Sequence, residues 1–152
     1  MTSLTLQQLI PVIQTAVGPV ILVSGVGLLL LSMTNRFGRI VDRSRILARE
    51  LPASAAVERE FLSQQLAVLH RRAKLIRLAI IFATASVLLA GLLIISLFLG
   101  ALLNVEGALL VALCFILCMA SLVGSLITFL LELHVSLTAL RMELTQAGFR
   151  GM

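Results

Sequence analysis

The chain has 152 residues, 60% of them hydrophobic and only 12% charged, with a formal net charge of +5. A soluble domain of this length leaves too much of its area at the surface to hide so many apolar side chains, so composition excludes an ordinary soluble fold and points to lipid as the solvent. The basic balance does not point to nucleic acid. Most basic residues lie in one stretch between two apolar segments, where they orient the chain and touch anionic lipid head groups.

The first apolar run covers 9–33 and has no charge from Ala16 to Met33. A crossing needs roughly 20 apolar residues, so this run is long enough to span. It does not read as a cleavable leader, because no Lys or Arg precedes it and no small-residue cleavage site follows. Small or polar residues recur along it at Gln7, Pro11, Gln14, Gly18, Gly25 and Ser32, broadly on one helix face. That face reads as a packing surface, within or between chains; the alternative is a pathway lining in an oligomer.

The segment 34–77 is expected to form an antiparallel helical hairpin. Phe37, Ile40, Val41, Ser44, Leu47, Ala48 and Leu51 recur at helical spacing, and so do Leu62, Leu66, Leu69, Ala73 and Ile76. Pro52 stops the first arm, and Ser54 caps the second, with Glu58 and Glu60 near its positive end. Asp42 is placed to pair locally with Arg43 or Arg45. The second and third spans, 78–103 and 108–131, are separated only by the turn Asn104-Val105-Glu106-Gly107, which makes them an antiparallel pair. Leu133, Leu137, Leu140 and Leu144 continue the third span as an amphipathic helix over 132–147. The expected fold is therefore an all-α membrane protein of a single domain, 1–152, with three transmembrane helices.

Charge sets the direction. Ten of the twelve Lys and Arg lie between Arg36 and Arg77, and the other two, Arg141 and Arg150, follow the third span. By the positive-inside rule the hairpin and the C-terminus face the cytoplasm and the N-terminus lies outside. Arg36, Arg39, Arg43, Arg71, Arg72, Lys74 and Arg77 are the expected lipid or partner contacts. They read first as a solvated, lipid-facing set and second as a docking site for an acidic partner or nucleotide.

Reactive constellations are sparse. Cys114 and Cys118 share a helix face, but two thiols without further ligands read as small hydrophobes rather than a metal site. Glu132 and His134 point in different directions and form no metal pair. Glu132 invites a structural ion pair with Arg36 or Arg39; an ion-pathway role is the alternative. No nucleophile–base pair, zinc motif or phosphate loop occurs, so neither catalysis nor a cofactor is expected.

The junction Leu31-Ser32-Met33-Thr34-Asn35-Arg36-Phe37-Gly38-Arg39-Ile40-Val41-Asp42-Arg43-Ser44-Arg45 is the most distinctive stretch. With Arg71-Arg72, Glu132 and Arg141-Met142-Glu143-Leu144, it resembles the membrane family catalogued as domain of unknown function 2721. The resemblance covers about 9–144 and implies a small, multi-pass bacterial inner-membrane protein. It brings no activity or site residue with it. The expected role is a structural or interaction subunit, as a homo-oligomer or as an accessory to a larger membrane complex. The alternative is an oligomeric ion channel or transporter with the first span lining the path.

Overall fold

The computed structural model describes the backbone at 6–53, 56–103 and 107–146, and side chains at 10–52, 59–103 and 107–137. These residues form three long helices: α1 (Leu6–Glu50), α2 (Ala56–Leu103) and α3 (Ala108–Gln146). A single 3-10 turn, Leu51–Ala53, follows α1. Pro52 sits in that turn, where its fixed φ and missing N–H end a regular helix. At the other connection the Val111 amide donates to the Gly107 carbonyl at 3.1 Å, which opens α3. Ser54, Asn104, Val105, Glu106 and Arg150 lie outside the described residues, as do the side chains of Gln7, Glu58, Leu140, Arg141, Met142, Glu143 and Leu144.

The helices are longer than the apolar runs inside them. α1 has 45 residues and α2 has 48, where a crossing needs roughly 20. Each therefore carries an apolar run and one expected hairpin arm without a break. Among the described residues all three helices are long and apolar enough to cross a membrane, with mean hydropathies of 2.2, 2.7 and 2.6 over an 18-residue stretch of each.

Burial follows a heptad rhythm along each helix. The buried positions are 16, 26, 33, 40 and 47 on α1, and 62, 76, 79, 83, 86, 90 and 93 on α2. On α3 they are Cys118, Ser125 and Glu132. Spacings of three, four and seven keep one seam facing a neighbour when helices cross at a shallow angle. The seam residues of α2 include Ala79, Ala83, Ser86 and Ala90, which let backbones approach closely.

The described residues group into two units by contact. The first comprises described residues of Met1–Leu31 and Ile81–Gly124. There the Ser121 hydroxyl donates to the Phe82 carbonyl at 2.8 Å, and the Cys118 thiol donates to the Ser86 carbonyl at 3.2 Å. Gly124 lies against the Phe82 ring, which a Cβ would meet at 3.7 Å. The outward positions are strongly apolar: Leu28 is 72% exposed and Leu109 76%. Water would solvate such a surface poorly, and lipid tails would solvate it well.

The second unit comprises described residues of Ser32–Ile80 and Ser125–Met152. Its core is Met33, Ile40, Ile76 and Ala79, with Phe37, Leu69, Ala73, Ile80 and Phe129 packed around them. The second half of α1 and the first half of α2 meet across this core as antiparallel neighbours. Ser125 donates to the Ala79 carbonyl at 2.8 Å, which docks α3 onto α2. Ala48, expected on the packed face of the first arm, is exposed, and so is Leu137 on α3.

Two substitutions in the first unit separate close packing from hydrogen bonding. Ala83→Leu inserts a branched side chain at a position 1% exposed and should lower stability by about 1–3 kcal/mol. Ser121→Ala removes one interhelical bond and should cost about 0.6 kcal/mol. Denaturant titration of the helical signal in mild detergent should rank Ala83→Leu as clearly the worse.

Candidate functional site, a shared carboxylate and an arginine cleft

Glu132 is fully buried, in the α3 seam one heptad beyond Ser125. A buried carboxylate without partners would be prohibitively unfavourable. Two arginines answer it. Arg36 of α1 donates from Nη2 to Oε2 at 2.9 Å. Arg72 of α2 donates from Nε and Nη2 to Oε1 at 3.2 and 3.1 Å. Both carboxylate oxygens are thus engaged, and one acid joins all three helices of the second unit. The partners lie 96 and 60 residues away in sequence.

The helices explain why these residues meet. Arg36 lies three residues after the seam residue Met33, and Arg72 lies four before Ile76, so each flanks its own seam. Phe129, one turn before Glu132, carries the Arg36 guanidinium over its ring, with 5.6 Å from Cζ to the centroid. Both arginines keep some contact with the exterior, their side chains being 27% and 20% exposed. The Nε of Arg36 is buried and has no hydrogen-bond partner among the described residues.

Beside this ion pair a cleft of about 330 Å³ opens, lined by Arg36, Arg39, Ile40, Arg43, Leu69 and Arg72. Positions 36, 39, 40 and 43 share one face of α1, and 69 and 72 share one face of α2. Four arginines therefore line one small space, and among the described residues the one acid bonded to any of them, Glu132, has both oxygens engaged. Arg39 and Arg43 form no ion pair among the described residues. Asp42 is exposed and makes none either, so the expected local pairing with Arg43 or Arg45 is not formed.

The remaining residues singled out by sequence lie elsewhere. Arg71, Lys74 and Arg77 are exposed on α2 and do not line the cleft. Gln14, Gly18, Gly25 and Ser32 are exposed on α1, and a Cβ at Gly18 or Gly25 would meet nothing within 4 Å. Gly18 borders an apolar cleft of about 260 Å³ in the first unit, with Pro19, Leu22 and Phe115. Cys118 is buried and Cys114 partly so. No group of three potential metal ligands occurs among the described residues. The role of Arg72 escaped the sequence reading, which weighed Arg36 and Arg39 as partners for Glu132. Its spacing from Leu69 and Ile76 was the available signal, since residues three and four apart share a helix face.

Three helices of crossing length, with apolar outer surfaces, fit a multi-pass membrane protein. The family model described as "Protein of unknown function (DUF2721)" matches residues 16–142, and the chain belongs to that family. The matched stretch contains Glu132, both of its arginines and the whole cleft. No curated protein and no solved structure matches the chain.

The shared carboxylate makes an asymmetric prediction. Glu132→Ala leaves two partly buried guanidinium groups facing each other and should destabilise the protein by about 3–5 kcal/mol. Arg72→Gln leaves Glu132 its bond to Arg36 and should cost distinctly less. Thermal unfolding in mild detergent checks the order, and equal losses would show that the two arginines are not alternative supports.

Proposed function

We propose that this protein is a non-enzymatic membrane subunit that assembles, with copies of itself or with a larger complex, through the small and polar face of α1. The observation that carries this reading is the exposure of Gln14, Gly18, Gly25 and Ser32 on a helix whose heptad seam is packed within the chain. Gly25 and Ser32 each immediately precede a seam residue, Val26 and Met33, so their face lies about 100° around the helix from it. Small residues with open space around them allow close approach of another helix in lipid, where packing rather than hydrophobicity drives association. A second reading, an oligomeric ion channel or transporter with α1 along its path, draws support from Gln14 and Ser32, which are polar on a face flanked by exposed Ile13 and Leu31.

The proposed setting is a bacterial inner membrane, with the N-terminus outside and the C-terminus in the cytoplasm. The crowding of basic residues into 36–77 supports that orientation. In that setting the helical hairpin lies on the cytoplasmic side, and Arg71, Lys74 and Arg77 face anionic head groups; nucleic acid is not a partner.

Three experiments test these statements. In a Cys114→Ala/Cys118→Ala background, Gly25→Cys should give an oxidative cross-link, either to a second copy or to a co-purifying membrane protein. A monodisperse monomer without a partner would sink the subunit reading. Liposome flux assays separate the second reading, which requires ion or solute movement. In the same background, an impermeant thiol reagent applied to intact cells should label Val105→Cys and spare Ala55→Cys; the reverse pattern would invert the orientation.

A further inference from the structure

We propose that the cleft between Arg36, Arg39, Arg43 and Arg72 is a specific binding site for a phosphate-bearing anion. The inference goes beyond the subunit reading and does not depend on it. Four observations carry it together. The cleft gathers four guanidinium groups, and the acid bonded to two of them, Glu132, already has both oxygens engaged. Arg39 and Arg43 have no carboxylate partner among the described residues, so their planar donor forks are open to a tetrahedral oxyanion. Arg36 also holds a buried Nε–H without an acceptor among the described residues, an unfavourable state for a charged donor. Finally, Ile40 and Leu69 supply apolar walls, which strengthen attraction between the guanidinium groups and an anion by lowering the local dielectric.

Mutual repulsion would spread four like charges on an unconstrained surface. Here Glu132 and the surrounding core hold Arg36 and Arg72, while positions 39 and 43 follow on the same face of a regular helix. Arg36 and Arg72 are therefore preorganised, as a receptor for an anion requires, while Arg39 and Arg43, exposed on the same face, can close on it. A volume of about 330 Å³ is at the small end of ligand sites, so the occupant is compact. A phosphate group fits that description, whether on a lipid head group or on a small soluble compound.

The test uses the full chain in a neutral maltoside detergent, with calorimetric titration of pyrophosphate, glycerol phosphate and dihexanoyl phosphatidylglycerol. The wild type should bind at least one of these saturably, one per chain. The double substitution Arg39→Gln/Arg43→Gln, which spares the Glu132 pair, should weaken binding by about tenfold or more. The control Arg71→Gln/Arg77→Gln removes the same charge from outside the cleft and should change affinity by less than about twofold. Tighter binding of the short-chain lipid than of glycerol phosphate identifies a lipid head group; equal or tighter binding of the soluble compounds identifies a free phosphate. The proposal is overturned if none of the three binds, if Arg39→Gln/Arg43→Gln binds like wild type, or if the two double variants weaken binding equally. The oligomeric state of the same samples reports separately on the subunit reading.

Discussion

A carboxylate shut away from solvent must be met by donors, and Glu132 draws its donors from two other helices. Arg36 takes one oxygen and Arg72 the other, so rotating α3 by one residue, about 100°, would strip the buried acid of both donors, and rotating α1 or α2 would cost it one of them. Buried ion pairs are often poor sources of net stability compared with apolar packing. Their better-attested role is to select register. In the second unit that role adds to the apolar core of Met33, Ile40, Ile76 and Ala79, which carries no charge to be paired. Phe129 stiffens the arrangement by stacking beneath Arg36 from the same helix that carries the acid.

The seam reports the same register without charge. As positions climb on α3 their uncharged partners on α2 fall, and Ser125 meets the Ala79 carbonyl. In the other unit Cys118 and Ser121 reach the carbonyls of Ser86 and Phe82 in the same descending order. These contacts are hydroxyl or thiol donors on backbone carbonyls whose amides are already committed to the helix. They require the close approach that alanine and glycine permit, and in lipid they replace part of the hydrophobic drive that a soluble bundle would use.

Arginine serves two purposes on these helices. Arg36 and Arg72 neutralise a buried acid, and with Arg39 and Arg43 they leave an excess of positive charge around one small cleft. Arg71, Lys74 and Arg77 remain on the exposed side of α2. A composition-level view treats all of these as one basic cluster, yet Arg36 and Arg72 are partly buried and paired, and Arg39 and Arg43, exposed like Arg71, Lys74 and Arg77, differ from those three in lining the cleft. That difference separates a built recess from a charged surface.

Much of the fold was legible in the sequence because hydropathy is a local property. Runs of some 20 apolar residues determined three helices of crossing length, Pro52 marked the end of the first, and the spacing of Leu62, Leu66, Leu69 and Ile76 showed that helix continues beyond the apolar run. The junction from Leu31 to Arg45, with Arg71-Arg72 and Glu132, also sufficed to indicate the family. The partnership was not legible in full. A helix apolar on nearly every side carries little phase information, so which face of each would turn inward depended on how three surfaces fit together. Glu132 invited an arginine from its residue type alone. That Arg72 shares it with Arg36, while Arg39 lines the neighbouring cleft, follows from helix rotation and register, which only tertiary packing decides.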